Sequence, residues 1–150
     1  MKITHKLSAW GDRHHPKILD IIRMILGLFL LTKGIIFLNN AGYLRYLIIE
    51  NEAIKQPAGL ITAIIYYVTY MHVLGGALIF LGVYTRLWAF LQLPIVFGAV
   101  FFVNITSEYV NSELWLSVMV LALLLLFVII GSGPWSVDRL LASTKTIGEE

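Results

Sequence analysis

Lys33 and His72 are the residues whose types and surroundings point most directly to chemistry. Each is ionisable, and each interrupts a long apolar run, Ile18 to Leu38 and Leu60 to Tyr84 respectively. A charge at the centre of a bilayer costs at least about 2.5–3.5 kcal/mol on insertion scales, so an ionisable group there marks a function by default. At about 1.5 Å of helical rise per residue, Lys33 lies roughly 22 Å beyond the start of its run, in the outer third of a bilayer. Tyr66, Tyr67 and Tyr70 mark the headgroup level of the second run, because tyrosine rings prefer that level, and His72 lies about 9 Å below Tyr66. The two groups therefore share a depth on antiparallel neighbours. An ammonium and an imidazole facing one niche can donate hydrogen bonds or protons to a quinone carbonyl, a carboxylate or another small polar guest. Gln92 and Asn104 of the third apolar run complete the expected ligand-binding set, with Glu108 and Glu113 beyond it as further polar candidates. The structural alternative is a lysine that snorkels outward and a histidine that only bonds between helices.

A second constellation gathers at the opposite membrane surface. Asp20 and Arg23 are three residues apart on one helical face and can pair. The second run ends in Gly82-Val-Tyr-Thr-Arg86, and the last run ends in Gly131-Ser-Gly-Pro-Trp-Ser136-Val-Asp138. Glycines suit a helix end, Pro134 stops continuation, and Ser136 can cap a short amphipathic helix laid on the surface by Trp135, Val137, Leu140 and Leu141. Arg23, Arg86, Ser136 and Asp138 are thus expected to form a structural latch, closed by an Arg86–Asp138 or Arg23–Asp138 ion pair. No metal site is expected: His5, His14 and His15 lack zinc spacing, and no HExxH, Walker, GxSxG or GxGxxG pattern occurs.

These residues need helices to position them, and the composition supplies helices of one kind. The 150 residues are 59% hydrophobic and 13% charged, with a mean hydropathy of +0.83, whereas soluble domains carry roughly 25% charged residues. The expectation is a single all-α integral membrane domain over residues 1–150, a four-helix bundle with spans at about 18–38, 60–84, 87–104 and 114–130 and a tail at 134–150. The first run lacks a small-residue cleavage site and is expected to remain as an anchor. Residues 39–59 contain Tyr-Leu-Arg-Tyr-Leu-Ile-Ile and read as a short interfacial helix with its apolar residues on the membrane side. Seven lysines and arginines, in both tails and at Arg86, fall on one side, against Arg45 and Lys55 on the other. The positive-inside rule therefore puts both termini in the cytoplasm of an inner-membrane protein. Gly27 and Gly34 share a face, as do Thr69, His72, Gly75, Gly76 and Ile79, and such small-residue stripes let membrane helices approach closely. Pro94 removes one helical hydrogen bond from the third span. A net charge of +2 offers nucleic acid no footprint, and the absence of cysteine excludes thiol exchange and thiolate-held clusters within the chain.

Arg23-x3-Gly27 with Lys33-Gly34, His72 with Gly75-Gly76, Gly82-x2-Thr85-Arg86 with Ala89, Pro94 and Gly98, and the closing Gly131-x-Gly133-x2-Ser136-x-Asp138 resemble the DoxX family of small four-helix membrane proteins. The resemblance runs over about residues 20 to 140. Its relatives include the membrane subunit of an archaeal thiosulfate:quinone oxidoreductase, also described as a terminal quinol oxidase component, and bacterial members of redox-stress complexes. It implies a redox-associated inner-membrane subunit, quinone as the one cofactor in question, and, as partners, the lipid bilayer, a soluble redox protein and further copies of the chain. With no self-contained catalytic motif, two other readings stay open: a small-molecule or proton-coupled carrier, and a non-catalytic assembly subunit.

Overall fold

The computed structural model describes residues 17–49, 57–104 and 112–140, apart from the side chains of Leu47, Phe102, Val103, Asn104, Ser112 and Glu113. The tail histidines, Glu108, and the side chains of Asn104 and Glu113 therefore lie outside the described residues. Helix α1 spans Lys17–Asn39, α2 Ala41–Ile49, α3 Ala58–Leu81, α4 Thr85–Gly98 and α5 Ser112–Ile130. A π-helical segment, Ala99–Asn104, continues α4 directly. No strand occurs among the described residues. Two helices, α1 and α3, are long and apolar enough to cross a membrane; the apolar stretches Thr85–Phe101 and Leu114–Ile130 are shorter.

The second apolar run stops three residues earlier than its hydropathy suggests. Gly82 adopts a left-handed backbone (φ 74°), and its N–H turns back to the Ile79 carbonyl, ending α3. Val83 and Tyr84 are apolar but belong to the turn, and Tyr84, also left-handed at φ 45°, caps α4. A Cβ at residue 82 would overlap Arg23 Nη1 and come within 2.7 Å of the Ser136 Cβ. Gly82→Ala should therefore cost about 2 kcal/mol, from left-handed strain plus displacement of Arg23. A lowered melting temperature in detergent would show it, and an unchanged one would contradict it.

Glycine brings α1 and α3 together almost backbone to backbone. A Cβ on Gly27 would stand 2.8 Å from the Gly76 carbonyl oxygen, and one on Gly34 would stand 2.7 Å from the Val73 nitrogen. Since position 27 meets 76–80 and position 34 meets 72–73, the helices run antiparallel. In α4, Ala89 and Val96 join Leu26, Leu30 and Ile79 in a buried core against Val120, Leu124 and Phe127 of α5. Helix α2 differs from its expected all-lipid face: Leu44 and Ile48 bury against Ile61 and Ile65 of α3, while Tyr43 and Tyr46 stay exposed. The outward face carries isoleucines, leucines and phenylalanines such as Ile25, Leu28, Leu74 and Phe90. A contiguous apolar exterior of this kind is stable against lipid and would aggregate in water.

Candidate functional site

Two polar clusters interrupt this apolar packing. The first lies midway along α3. Thr69, His72, Gly75, Gly76 and Ile79 are all buried, so the stripe read at helical spacing does face inward. His72 Nδ1 donates to the Val68 carbonyl at 2.9 Å, and the ring stands edge-on to Phe37 of α1 at 5.7 Å between centroids. A carbonyl can only accept, so in the neutral ring Nδ1 carries the proton and Nε2 is left as an acceptor. Lys33 is level with His72, because its neighbour Gly34 backs onto residues 72–73. The Lys33 ammonium lies back over Phe29, 5.9 Å from the ring centroid, pointing along α1 toward its N-terminal end.

Gln92 reaches the same turn of α3 from α4. It is fully buried, and its Nε2 donates to the Met71 carbonyl at 2.7 Å. Gly75 makes this possible, since a Cβ there would lie 2.7 Å from Gln92 Nε2. The other half of the amide is unmatched: Gln92 Oε1 has no hydrogen-bond partner among the described residues. A buried amide oxygen left so costs about 1–3 kcal/mol.

The second cluster ties the start of α1 to the segment after α5. Asp20 Oδ2 accepts from the Trp135 N–H at 3.2 Å, and Arg23 Nη2 donates to the Trp135 carbonyl at 2.8 Å. Both polar backbone groups of Trp135 are thus held by one helical face. Arg23 and Asp20 lie 3.6 Å apart with side chains almost wholly buried. Arg86 Nη2 donates to the Ile130 carbonyl at 3.0 Å. Ser136 Oγ accepts from the Arg139 N–H at 3.3 Å, capping the single turn 137–140.

The ion pair expected between Asp138 and an arginine is replaced by a different contact. Asp138 Oδ2 accepts from the Tyr84 N–H at 2.9 Å, and Asp138 donates its own N–H to the Gly82 carbonyl at 3.4 Å. The left-handed turn leaves the Tyr84 amide without a helical partner, and the carboxylate supplies one. Among the described residues the arginine ion pair is Arg23–Asp20. Arg23, Ser136 and Asp138 do meet around the 82–84 turn, with Arg86 one turn further on. The expected latch left out Asp20, although its spacing from Arg23 was visible, and Thr85, although the tight turn that holds it with Arg86 was visible too. No group of three or more metal-ligating side chains occurs among the described residues.

Neither the search of curated proteins nor that of solved structures gave a match. The DoxX family model matches residues 18–105, a range that holds Arg23, Lys33, His72, Arg86 and Gln92 and stops before the Gly131–Asp138 segment. That range is more than half of the chain, and the protein belongs to the DoxX family.

Proposed function

We propose that this membrane protein is a four-span inner-membrane subunit, both termini cytoplasmic, that binds a quinol or a similar small hydrogen-bond donor between α1, α3 and α4. The observation that carries this reading is the unpartnered, fully buried Oε1 of Gln92, on the same turn of α3 as His72, whose Nε2 is an acceptor. Two acceptors favour a guest that donates, and the hydroxyls of a quinol do. Oxidation of such a guest supplies two electrons and two protons. His72 Nε2 and Gln92 Oε1 would hold the hydroxyls, and Lys33 would keep positive potential beside them. A soluble redox partner in its oxidised form would take the electrons, and the protons would leave through His72 Nε2 and water. The charge asymmetry of the tails and turns supports the orientation, and the apolar exterior leaves room for further copies of the chain.

A second reading, a non-catalytic assembly subunit, draws on the His72–Val68 bond and on the grip of Asp20 and Arg23 on Trp135. One experiment separates the two. Titrating a short-chain ubiquinol into purified protein in nanodiscs should give a dissociation constant about ten-fold weaker for Gln92→Leu and for His72→Leu, with each variant still folded. Equal binding by folded variants would overturn the quinol site. Loss of folded protein in both would favour the assembly role.

A further inference from the structure

A cavity of about 550 Å³ opens at the end of the molecule where α3 stops, α4 starts and α5 stops. Its polar lining includes Thr85, Arg86, Ser132, Ser136, Asp138 and Arg139. Thr85 is 1% exposed, yet its Oγ1 has no hydrogen-bond partner among the described residues, and the same is true of the buried Arg86 Nε. Thr85 and Arg86 both line the cavity, so two buried donors without acceptors belong to residues of its wall. Helix α4 begins at this wall, and its cap residue Tyr84 supplies no side-chain bond to the first amides. The helix N-terminus, whose Tyr84 amide is held by Asp138, adds partial positive charge at the same place.

We infer that this cavity is a binding site for the phosphodiester of a glycerophospholipid. The lining carries two arginines and one aspartate, an excess of one positive charge, and a phosphodiester carries one negative charge. A phosphomonoester, at about −1.5 to −2 near neutral pH, would leave the site overcharged. Asp138 Oδ2 is turned to the Tyr84 amide, and its negative charge is already counted in that balance. Depth agrees with chemistry: α3, one of the two helices long enough to cross a membrane, ends here. Tyr84 and Trp135 beside the cavity are largely exposed, as aromatic residues at the headgroup level are. Leu87 and Ile130, also in the lining, give the acyl chains an apolar way down from the phosphate.

Native mass spectrometry of the full chain in detergent tests this, with phosphatidylglycerol, diacylglycerol of the same chains, and inorganic phosphate as competing probes. The wild-type protein should retain phosphatidylglycerol about ten-fold more than diacylglycerol. Thr85→Val, which keeps volume and removes only the unpartnered hydroxyl, should lower retention about five-fold at unchanged melting temperature. Arg139→Gln should lower it similarly. Arg86→Gln should abolish it, and the first two variants keep the test valid if this one unfolds. Equal retention of diacylglycerol, or full retention by folded Thr85→Val and Arg139→Gln, would overturn the site. Displacement of the lipid by inorganic phosphate would overturn the lipid as its source.

Discussion

Asp20→Ala is expected to remove about 3–5 kcal/mol of stability, because it strands a buried guanidinium. Arg23 is fully buried and is one of the largest fully buried side chains among the described residues. Its Nε and Nη1 have no hydrogen-bond partner there; Asp20 and the Trp135 carbonyl are in direct contact with it, and the Asp138 carboxylate adds a longer-range attraction. Removing the carboxylate also frees the Trp135 N–H, leaving a second unmet donor. Arg23→Met should cost less, since it leaves a carboxylate that still accepts from Trp135. The double variant Asp20→Leu, Arg23→Met should recover much of the loss, as replacement of buried ion pairs by apolar groups of similar volume often does. Reversible unfolding in mixed detergent micelles, run as a double-mutant cycle, measures the coupling directly. A single-variant loss below about 1 kcal/mol, as surface pairs give, would show that water reaches this pair. Since the grip on Trp135 sets the position of Ser136 and Asp138, the same variants should also weaken phosphatidylglycerol retention.

What could be read from the sequence divides along a physical line. Patterns internal to one helix were legible. The apolar lengths of α1 and α3, the spacing of Gly27 and Gly34, and the inward face of Thr69, His72, Gly75 and Ile79 all follow from helical periodicity. The Ser136 cap is also local, spanning three residues. Contacts whose partner is a backbone atom far along the chain left no mark. Trp135 lies 115 residues from Asp20, and any residue there would offer the same N–H and carbonyl. Asp138 was expected to choose a charged partner, but the strongest unmet need near it is an amide exposed by the left-handed Tyr84. Gln92 was recognisable as costly, while the direction of its amide depends on Gly75 of a different helix giving it room. The close of α3 at Leu81 was hidden because hydropathy cannot distinguish an apolar turn from an apolar helix.

Gly76→Leu should be the most damaging single change on the α1–α3 face, with a loss of about 3 kcal/mol or more. Lipid supplies no hydrophobic drive between spanning helices, so their association rests on close packing and interhelical bonds. At Gly76 the neighbours are backbone, not flexible side chains: a Cβ would overlap the Leu31 nitrogen and lie 2.9 Å from the Gly27 carbonyl oxygen. Nothing there can swing aside, so α1 and α3 must separate along their length. That separation would withdraw Phe37 from the His72 ring, so residual folded protein should also lose ubiquinol affinity. Gly76→Ala should show the same pattern at about 1–3 kcal/mol. Gly98→Ala is the control, because a Cβ there meets nothing within 4 Å and alanine favours the helix by up to about 1 kcal/mol. Unfolding measurements on the three variants decide the matter. A Gly76→Leu protein as stable as Gly98→Ala would mean that α1 and α3 are not held by backbone contact, and the shared depth of Lys33 and His72 would lose its structural basis.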